Sequence, residues 1–130
     1  MGKAQRNKGK AAEREFLNAL SQALQLDYSL ARNLQQSDGG GADCIAIPGL
    51  AIEIKRHETL RLSEWWQQTI EQADRLNAAP VLVYRQSRKP WSVCVYLHWL
   101  APSVYGDAGD IVTINIATLA KVIHQKELLS

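Results

Sequence analysis

The stretch Ala51-Ile52-Glu53-Ile54-Lys55-Arg56 (AIEIKR, residues 51–56) alternates apolar and charged side chains in a short run typical of a β-strand. Alternate side chains of a strand share a face, so Ile52 and Ile54 point one way while Glu53 and Lys55 point the other. One face of this strand therefore belongs to a hydrophobic core. The other face carries a carboxylate beside an ammonium group, which makes it the first place to look for chemistry.

The residues before this strand predict a β-hairpin, because the apolar run CIAI (44–47) is separated from it by Pro48-Gly49. If the turn holds three residues, Asp43 pairs with Lys55 and shares a face with Glu53. A two-residue turn would place Asp43 on the opposite face, unless a β-bulge restores the register. Proline at position 48 favours the longer turn.

Two carboxylates that share a face at short range repel each other unless a cation or a proton lies between them. Mg²⁺ suits this position, because it binds one or two carboxylates and completes its octahedron with carbonyls, waters and phosphate oxygens. Lys55 could then orient an attacking water or stabilise charge that develops on phosphorus. The alternative is an amphipathic strand whose Glu-Lys pair simply faces solvent.

A third acidic residue is predicted to point inward from the first helix. Glu13 lies within about 60° of Leu17, Leu20 and Leu24 on a helical projection, so it extends a row of leucines that must face the interior. Glu15 is expected on the far side of that helix. A pairing of Glu13 with a nearby arginine, or a role at the helix start, is the simpler alternative to a place in a metal site.

The chain has 130 residues, of which 46% are hydrophobic, so it can bury the core of one domain. We expect a basic, flexible N-terminus over 1–8 and a single domain over 9–130. Periodicity predicts helices over 9–26, 63–77 and 117–128, and strands over 28–34, 44–47, 50–55, 80–85, 91–100 and 111–116. This order predicts an α/β fold with a central mixed β-sheet flanked by α-helices.

The net charge is only +2, but its distribution is uneven. Residues 1–14 hold five basic residues against one acid, and further basic clusters lie at 55–61 and 85–89. Such clusters can neutralise phosphates, although a solvated tail is the simpler interpretation of the first one.

The chain has no apolar run of membrane-spanning length and no apolar leader, and its two cysteines lie in strand-like runs. We therefore expect a cytoplasmic protein with reduced thiols and no membrane partner.

Taken together, these residues resemble the PD-(D/E)XK nuclease superfamily, and most of all its Holliday-junction-resolvase-like branch of archaea and phages. The first helix opens with Gly9-Lys10-Ala11-Ala12-Glu13-Arg14, which is similar to the G-x-A-x-E-R segment of that branch. The acidic motif is similar to Gly41-Ala42-Asp43 followed by Glu53-Ile54-Lys55, with alanine where the family often has proline. The resemblance implies a restriction-endonuclease-like core.

The resemblance also implies roles for the site residues. Asp43, Glu53 and the backbone carbonyl of Ile54 would bind Mg²⁺, for which Mn²⁺ would substitute. Lys55 would assist the water nucleophile, and Glu13 would complete the catalytic site.

The family carries a glutamine on the helix after this strand, and two residues match its contexts. Trp65 with Gln68 fits one context and Gln72-Ala73 fits the other, so Gln68 or Gln72 would hold a water or the substrate. Trp65 itself is predicted to point away from the apolar face of its helix, which makes it a candidate interface residue. The expected substrate-binding residues are Lys8, Lys10, Arg14, Ser37, Arg56 and Gln72.

The function that the resemblance implies is hydrolysis of phosphodiester bonds in branched DNA by a metal-dependent endonuclease, in the manner of a Holliday junction resolvase acting in DNA recombination and repair. Resolvases of this type work as homodimers, so a second copy of the chain is an expected partner. Two alternatives stay open. A nuclease of the same fold could act on flap, nicked or linear DNA, and a catalytically silent protein could bind DNA without cutting it.

Overall fold

The computed structural model of the chain describes residues 3–30, 47–103 and 109–129. Within these ranges the chain forms four helices and four strands. The elements, in chain order, are α1 (Lys3–Ala23), β1 (Leu50–Arg56), α2 (Leu62–Leu76), β2 (Ala79–Arg85), β3 (Ser92–Tyr96), α3 (Leu97–Leu100), β4 (Ile111–Ile114) and α4 (Ile116–Gln125).

The strands form one sheet in the order β1-β2-β3-β4. β1 and β2 are parallel, with Glu53 opposite Leu82 and Arg56 opposite Arg85, and α2 makes the crossover between them. β2, β3 and β4 pair as antiparallel neighbours. The α/β fold with a mixed sheet and flanking helices is therefore confirmed. Because β1 and β2 run in the same direction, their carboxyl ends meet at one edge of the sheet.

The main core lies between the sheet and the pair of helices α1 and α4. Ile52 and Ile54 of β1 are buried there, as the alternation of that strand predicts. The helices contribute the row of apolar residues on α1 together with Leu119 and Ile123 of α4. Phe16 of α1 packs edge-on against Trp91, with ring centroids 5.3 Å apart. This layer holds α1 against the face of β1 that carries the isoleucines.

The opposite face of the sheet is covered by α2. Ala73 packs on Ala51, and both are fully buried, so two small side chains let the helix approach β1 closely. Trp65 is only 4% exposed and packs with Leu82 and Cys94. The prediction that Trp65 is an interface residue is wrong, because Trp65, Thr69 and Ala73 form the face of α2 that packs on the sheet.

Three predicted elements have different bounds in the structure. Residues 28–30 are not in a strand, and the rest of that predicted strand lies outside the described ranges. The run 91–100 divides into β3 and the short helix α3, because Leu97 donates its N–H to the carbonyl of Asp110 at the end of the following loop, 2.8 Å away. β4 ends at Ile114, since the Asn115 side chain accepts a hydrogen bond from Thr118 N–H at 2.8 Å and caps α4.

The first helix begins earlier than predicted. It starts at Lys3, so the backbone of residues 3–8 is helical where a flexible N-terminus was expected. The helix ends as a Schellman-type turn, with Gln25 at φ 59° and Leu26 N–H donating to the Ser21 carbonyl at 3.1 Å. The basic segment before residue 9 is therefore part of α1.

The turn before β1 is shorter than the three-residue turn that we favoured. Leu50 N–H donates to the Ile47 carbonyl at 3.1 Å, which leaves Pro48 and Gly49 as its two central residues. Gly49 has φ 84°, the left-handed conformation that glycine adopts without steric cost at this position of a type II turn. The pairing of Asp43 lies outside the described residues.

Cys94 is a free, buried thiol on β3. Burial raises the pKa of this thiol, and a contact of 3.6 Å between its sulfur and the Thr113 hydroxyl partly lowers it. Cys94 is therefore a core residue and not an activated nucleophile; Cys44 lies outside the described part of the chain. Over the described residues, no helix is both long and apolar enough to cross a bilayer.

Candidate active site

Glu53 and Lys55 share the face of β1 that looks toward α2, as their alternation with Ile52 and Ile54 predicts. The Lys55 Nζ atom lies 4.0 Å from Glu53 Oε1. The two side chains are 23% and 14% exposed, so both are largely withdrawn from solvent without being sealed off. The interpretation of an E-x-K pair as freely solvated does not hold for this strand.

Gln72 approaches the same face from α2. Trp66 packs on Tyr96 of β3, with ring centroids 5.2 Å apart, and so marks the flank of the helix that faces β3 and β4. Gln72 lies about 120° from Trp66 around the helix axis, on the flank that faces β1. Its Oε1 atom is buried and accepts no hydrogen bond from any described residue. By contrast, the side chain of Gln68 is exposed.

Glu13 is only 7% exposed, which confirms that it points into the protein from α1. It comes from the side of the sheet opposite α2, whereas Glu53, Lys55 and Gln72 lie on the α2 side. Of the expected substrate-binding residues, Lys10 and Arg14 are exposed on α1. Lys8 belongs to the same helix, but its side chain lies outside the description, as do Asp43 and Ser37 entirely.

An ion-pair cluster on the α1 side of the sheet was not predicted. Arg56 Nη1 donates to Glu15 Oε2 at 3.1 Å, and Arg85 Nη1 pairs with the other oxygen of the same carboxylate. The prediction that Glu15 lies on the far side of α1 is wrong, because the Glu15 side chain reaches the carboxyl ends of β1 and β2. The register that places Arg56 beside Arg85 explains the cluster, and the sequence holds no signal for that register.

A second unpredicted cluster continues the polar face of β1. His57 N–H donates to the Arg85 carbonyl at 3.2 Å, which carries the pairing of β1 with β2 one residue beyond Arg56. The exposed imidazole of His57 packs on Trp65, with centroids 5.3 Å apart, and Trp65 also contacts Tyr84 at 6.3 Å. His57 thus follows Glu53 and Lys55 in alternation along one strand face.

The donor chemistry of this face suits a divalent cation. The Glu53 carboxylate and the carbonyl of Ile54 are hard oxygen donors on one strand, and the buried Gln72 oxygen is a further acceptor on the flank of α2 that faces β1. No cluster of three potential metal ligands among His, Cys, Asp and Glu occurs in the part of the chain that the structure describes. Asp43, the predicted second carboxylate, lies outside that part.

No curated protein matches the chain. Among solved structures, the chain is similar to that of Hjc, a Holliday junction resolvase from the archaeal hyperthermophile Archaeoglobus fulgidus, at 20% sequence identity and a TM-score of 0.49. That match covers 87% of this chain and 96% of the resolvase.

The family model described as "Phage putative PDDEXK endonuclease" matches residues 4–127, which is nearly the whole chain. The matched region contains every described residue of the E-x-K face, the buried Glu13 and both candidate glutamines. The chain therefore belongs to this PD-(D/E)XK family of phage endonucleases, and it is a nuclease of that type.

Proposed function

We propose that the chain is a metal-dependent endonuclease that hydrolyses phosphodiester bonds in branched DNA, in the manner of a Holliday junction resolvase. The observation that carries this proposal is the half-buried Glu53-Lys55 pair, 4.0 Å apart on one face of β1, with the buried Gln72 oxygen on the adjoining flank of α2. Membership of a nuclease family supports the class of reaction.

The cofactor that fits the donor set is Mg²⁺, with Mn²⁺ as a substitute. Glu53, the carbonyl of Ile54 and the carboxylate of Asp43 would hold it, because hard cations of this size prefer oxygen ligands and keep several waters. A bound divalent ion supplies an acidified water and neutralises charge at the phosphate. Asp43 enters this set as a proposal from the sequence motif.

Lys55 acts on the water or on the phosphate. Its ammonium group lies beside the Glu53 carboxylate and retains 23% exposure, so it can meet a substrate that approaches from solvent. A cation fixed at this place stabilises negative charge that grows in the transition state and costs little reorganisation. Glu13 is a buried carboxylate on α1, across the sheet from Glu53 and Lys55, and its part in the site is a proposal from the sequence motif.

The glutamine of the site is Gln72. A buried carboxamide oxygen without a donor loses about 1–3 kcal/mol relative to water, so a water or substrate hydroxyl that donates to it is favoured. Gln68 has no such need, because its side chain is exposed. Of the two glutamines that the sequence left open, we therefore assign this role to Gln72 rather than to Gln68.

The substrate is DNA, and we propose that it is branched. Exposed Lys10 and Arg14 on α1, with Lys8 before them, would bind its backbone together with Arg56 and Ser37. Symmetric cutting of two strands requires two active sites, and a chain of this size supplies one, so a homodimer is the working form. Light scattering on the purified protein measures that state directly.

Four-way-junction cleavage, run beside a duplex of the same sequence, tests the proposal. The wild type should cut the junction with Mg²⁺ or Mn²⁺ and not with EDTA. Lys55→Ala, Glu53→Gln and Asp43→Asn should each lose at least about 100-fold in rate while DNA binding survives. Lys121→Ala, which removes an exposed lysine from α4, is the matched control.

The two glutamines provide a sharper comparison. Gln72→Ala should slow cleavage by about tenfold or more, whereas Gln68→Ala should leave the rate near that of the wild type. Full activity in both Lys55→Ala and Asp43→Asn would contradict the assignment of the site. Equal cleavage of junction and duplex would favour the alternative of a nuclease for flap, nicked or linear DNA, and metal-independent binding without cleavage would favour a silent DNA-binding protein.

A further inference from the structure

A basic groove lies between the β2–β3 turn and the start of α4, away from the E-x-K face. Its lining includes Arg85, Arg88, Lys89 and Trp91 together with the first residues of α4. Three of these side chains are cations, of which Arg85 is paired with Glu15 while Arg88 and Lys89 are exposed, and no carboxylate is part of the lining that the structure describes. The partial positive charge at the N-terminus of α4 adds to the same field. The groove is therefore suited to an anion.

The turn that carries these cations is tied to the strand of the active site. Lys89 N–H donates to the Gln86 carbonyl at 3.2 Å and closes the turn, and Gln86 Nε2 donates to the backbone carbonyl of Glu58 at 2.7 Å. Ser87 donates to the Glu58 carboxylate from its N–H, at 3.1 Å, and from its hydroxyl. Since Glu58 lies two residues beyond the end of β1, the groove is held in a defined place relative to Glu53 and Lys55.

Arg88 occupies a backbone position that suits glycine better than arginine. Its φ is 64°, in the left-handed region where a side chain with a Cβ atom is disfavoured. The side chain of Arg88 is exposed, so core packing does not offset the energetic cost of this backbone conformation. An arginine in such a position presents its guanidinium group to solvent at the mouth of the groove.

Arg85 forms the inner wall of the groove. Its guanidinium carbon lies 6.0 Å from the centre of the Trp91 ring, and Trp91 is itself buried against Phe16. The pairing of Arg85 with Glu15 holds the guanidinium group at the edge of the sheet. The inner cation is thus fixed by packing, and the two outer cations, Arg88 and Lys89, remain exposed.

We propose that this groove binds the phosphodiester backbone of a duplex arm that extends from the bond being cut. The proposal rests on the proposed function, because it assigns a second contact region to the same DNA substrate. The groove is open, with two exposed cations at its mouth and one fixed cation inside. This arrangement suits a row of phosphates along a backbone better than a single small anion, which would need an enclosed site. Arg88 and Lys89 contact that backbone.

Arg88→Gly tests the proposal, because it removes the cation and relieves the left-handed backbone in one change. Binding is measured by fluorescence anisotropy in EDTA with a labelled four-way junction and a labelled 30-base-pair duplex. We expect about an eightfold loss of affinity at 0.1 M monovalent salt, and a salt slope reduced by about 0.9, the values for one lost phosphate contact. The urea midpoint should be no lower than that of the wild type.

Two matched controls separate charge from backbone effects. Asn77→Gly makes the same left-handed change to glycine at the end of α2 without loss of charge, and Arg75→Ala removes an exposed cation from the last turn of α2. Both should bind DNA as the wild type does. Lys89→Ala should repeat the loss of affinity seen with Arg88→Gly.

Wild-type affinity and salt slope in both Arg88→Gly and Lys89→Ala would overturn the proposal, as would an equal loss in Arg75→Ala. Cleavage by the wild type in Mg²⁺ is measured separately. If the wild type cleaves DNA and the groove variants bind it normally, the proposal that the groove binds DNA is rejected and the proposed nuclease function is kept. If the groove variants bind DNA weakly but the wild type does not cleave it, the DNA-binding role of the groove is kept and the proposed nuclease function is rejected.

Discussion

Glu15 holds two arginines at the carboxyl ends of the parallel strands, and its removal should have a measurable effect on stability. In Glu15→Gln the side chain keeps its shape, but the pairs with Arg56 and Arg85 lose their charge. Those arginines lie opposite each other on neighbouring strands, so each would then face an uncompensated like charge.

The magnitude follows from exposure. The Glu15, Arg56 and Arg85 side chains are 33%, 30% and 26% exposed. Because solvent still reaches these side chains and screens each ion pair, each pair contributes near the upper end of the stabilisation that is typical of surface ion pairs. Two such pairs, with the repulsion that they prevent, amount to roughly 1.5 kcal/mol of the free energy of unfolding. For a domain of this size that corresponds to a fall in Tm of about 5 °C.

Urea unfolding followed by circular dichroism, at 0.05 M and 1 M NaCl, measures this difference. The loss should shrink in 1 M salt, because screening there acts over about 3 Å. Glu64→Gln is the matched control, since Glu64 pairs with Arg61 at 3.9 Å across an exposed helix surface and should change stability by less than about 0.5 kcal/mol. A Glu15→Gln protein as stable as the wild type at low salt would refute the reasoning.

Two further predictions concern the core on the α2 side. Trp65→Ala should lower the free energy of unfolding by about 3–5 kcal/mol, because Trp65 is buried against Leu82 and Cys94, whereas Trp66→Ala should cost distinctly less; equal losses in urea titrations would contradict the placement of α2. Because burial raises the pKa of the Cys94 thiol, its folded-state contribution is complete below the pKa of an exposed cysteine and declines as the pH rises above it. The wild type should therefore lose stability relative to Cys94→Ala between pH 8 and pH 10, and a difference that does not change with pH in paired urea titrations would count against a buried thiol.

The alternation of β1 and the leucine row of α1 were sufficient to predict the faces that these elements present. Ile52 and Ile54 are buried, Glu53 and Lys55 share the other face, and Glu13 points inward, because each of these depends on the period of one element and on the burial of apolar side chains. The E-x-K motif and the G-x-A-x-E-R segment were likewise readable along the chain, and the family match agrees with them.

Other features depend on how separate elements meet. The sequence of α2 placed Trp65 away from the apolar face and left Gln68 and Gln72 undecided, because the side of a helix that is covered depends on the element that packs against it. The contact of Ala73 with Ala51 sets the rotation of α2, which buries Trp65 and turns Gln72 toward β1. In the same way, the parallel register of β1 and β2 places Arg56 beside Arg85 and brings Glu15 to both. Periodicity along a chain encodes which side chains avoid water, whereas the pairing of distant segments is decided by packing. The polar face of β1 could therefore be predicted from AIEIKR, but the residues that surround that strand in space could not.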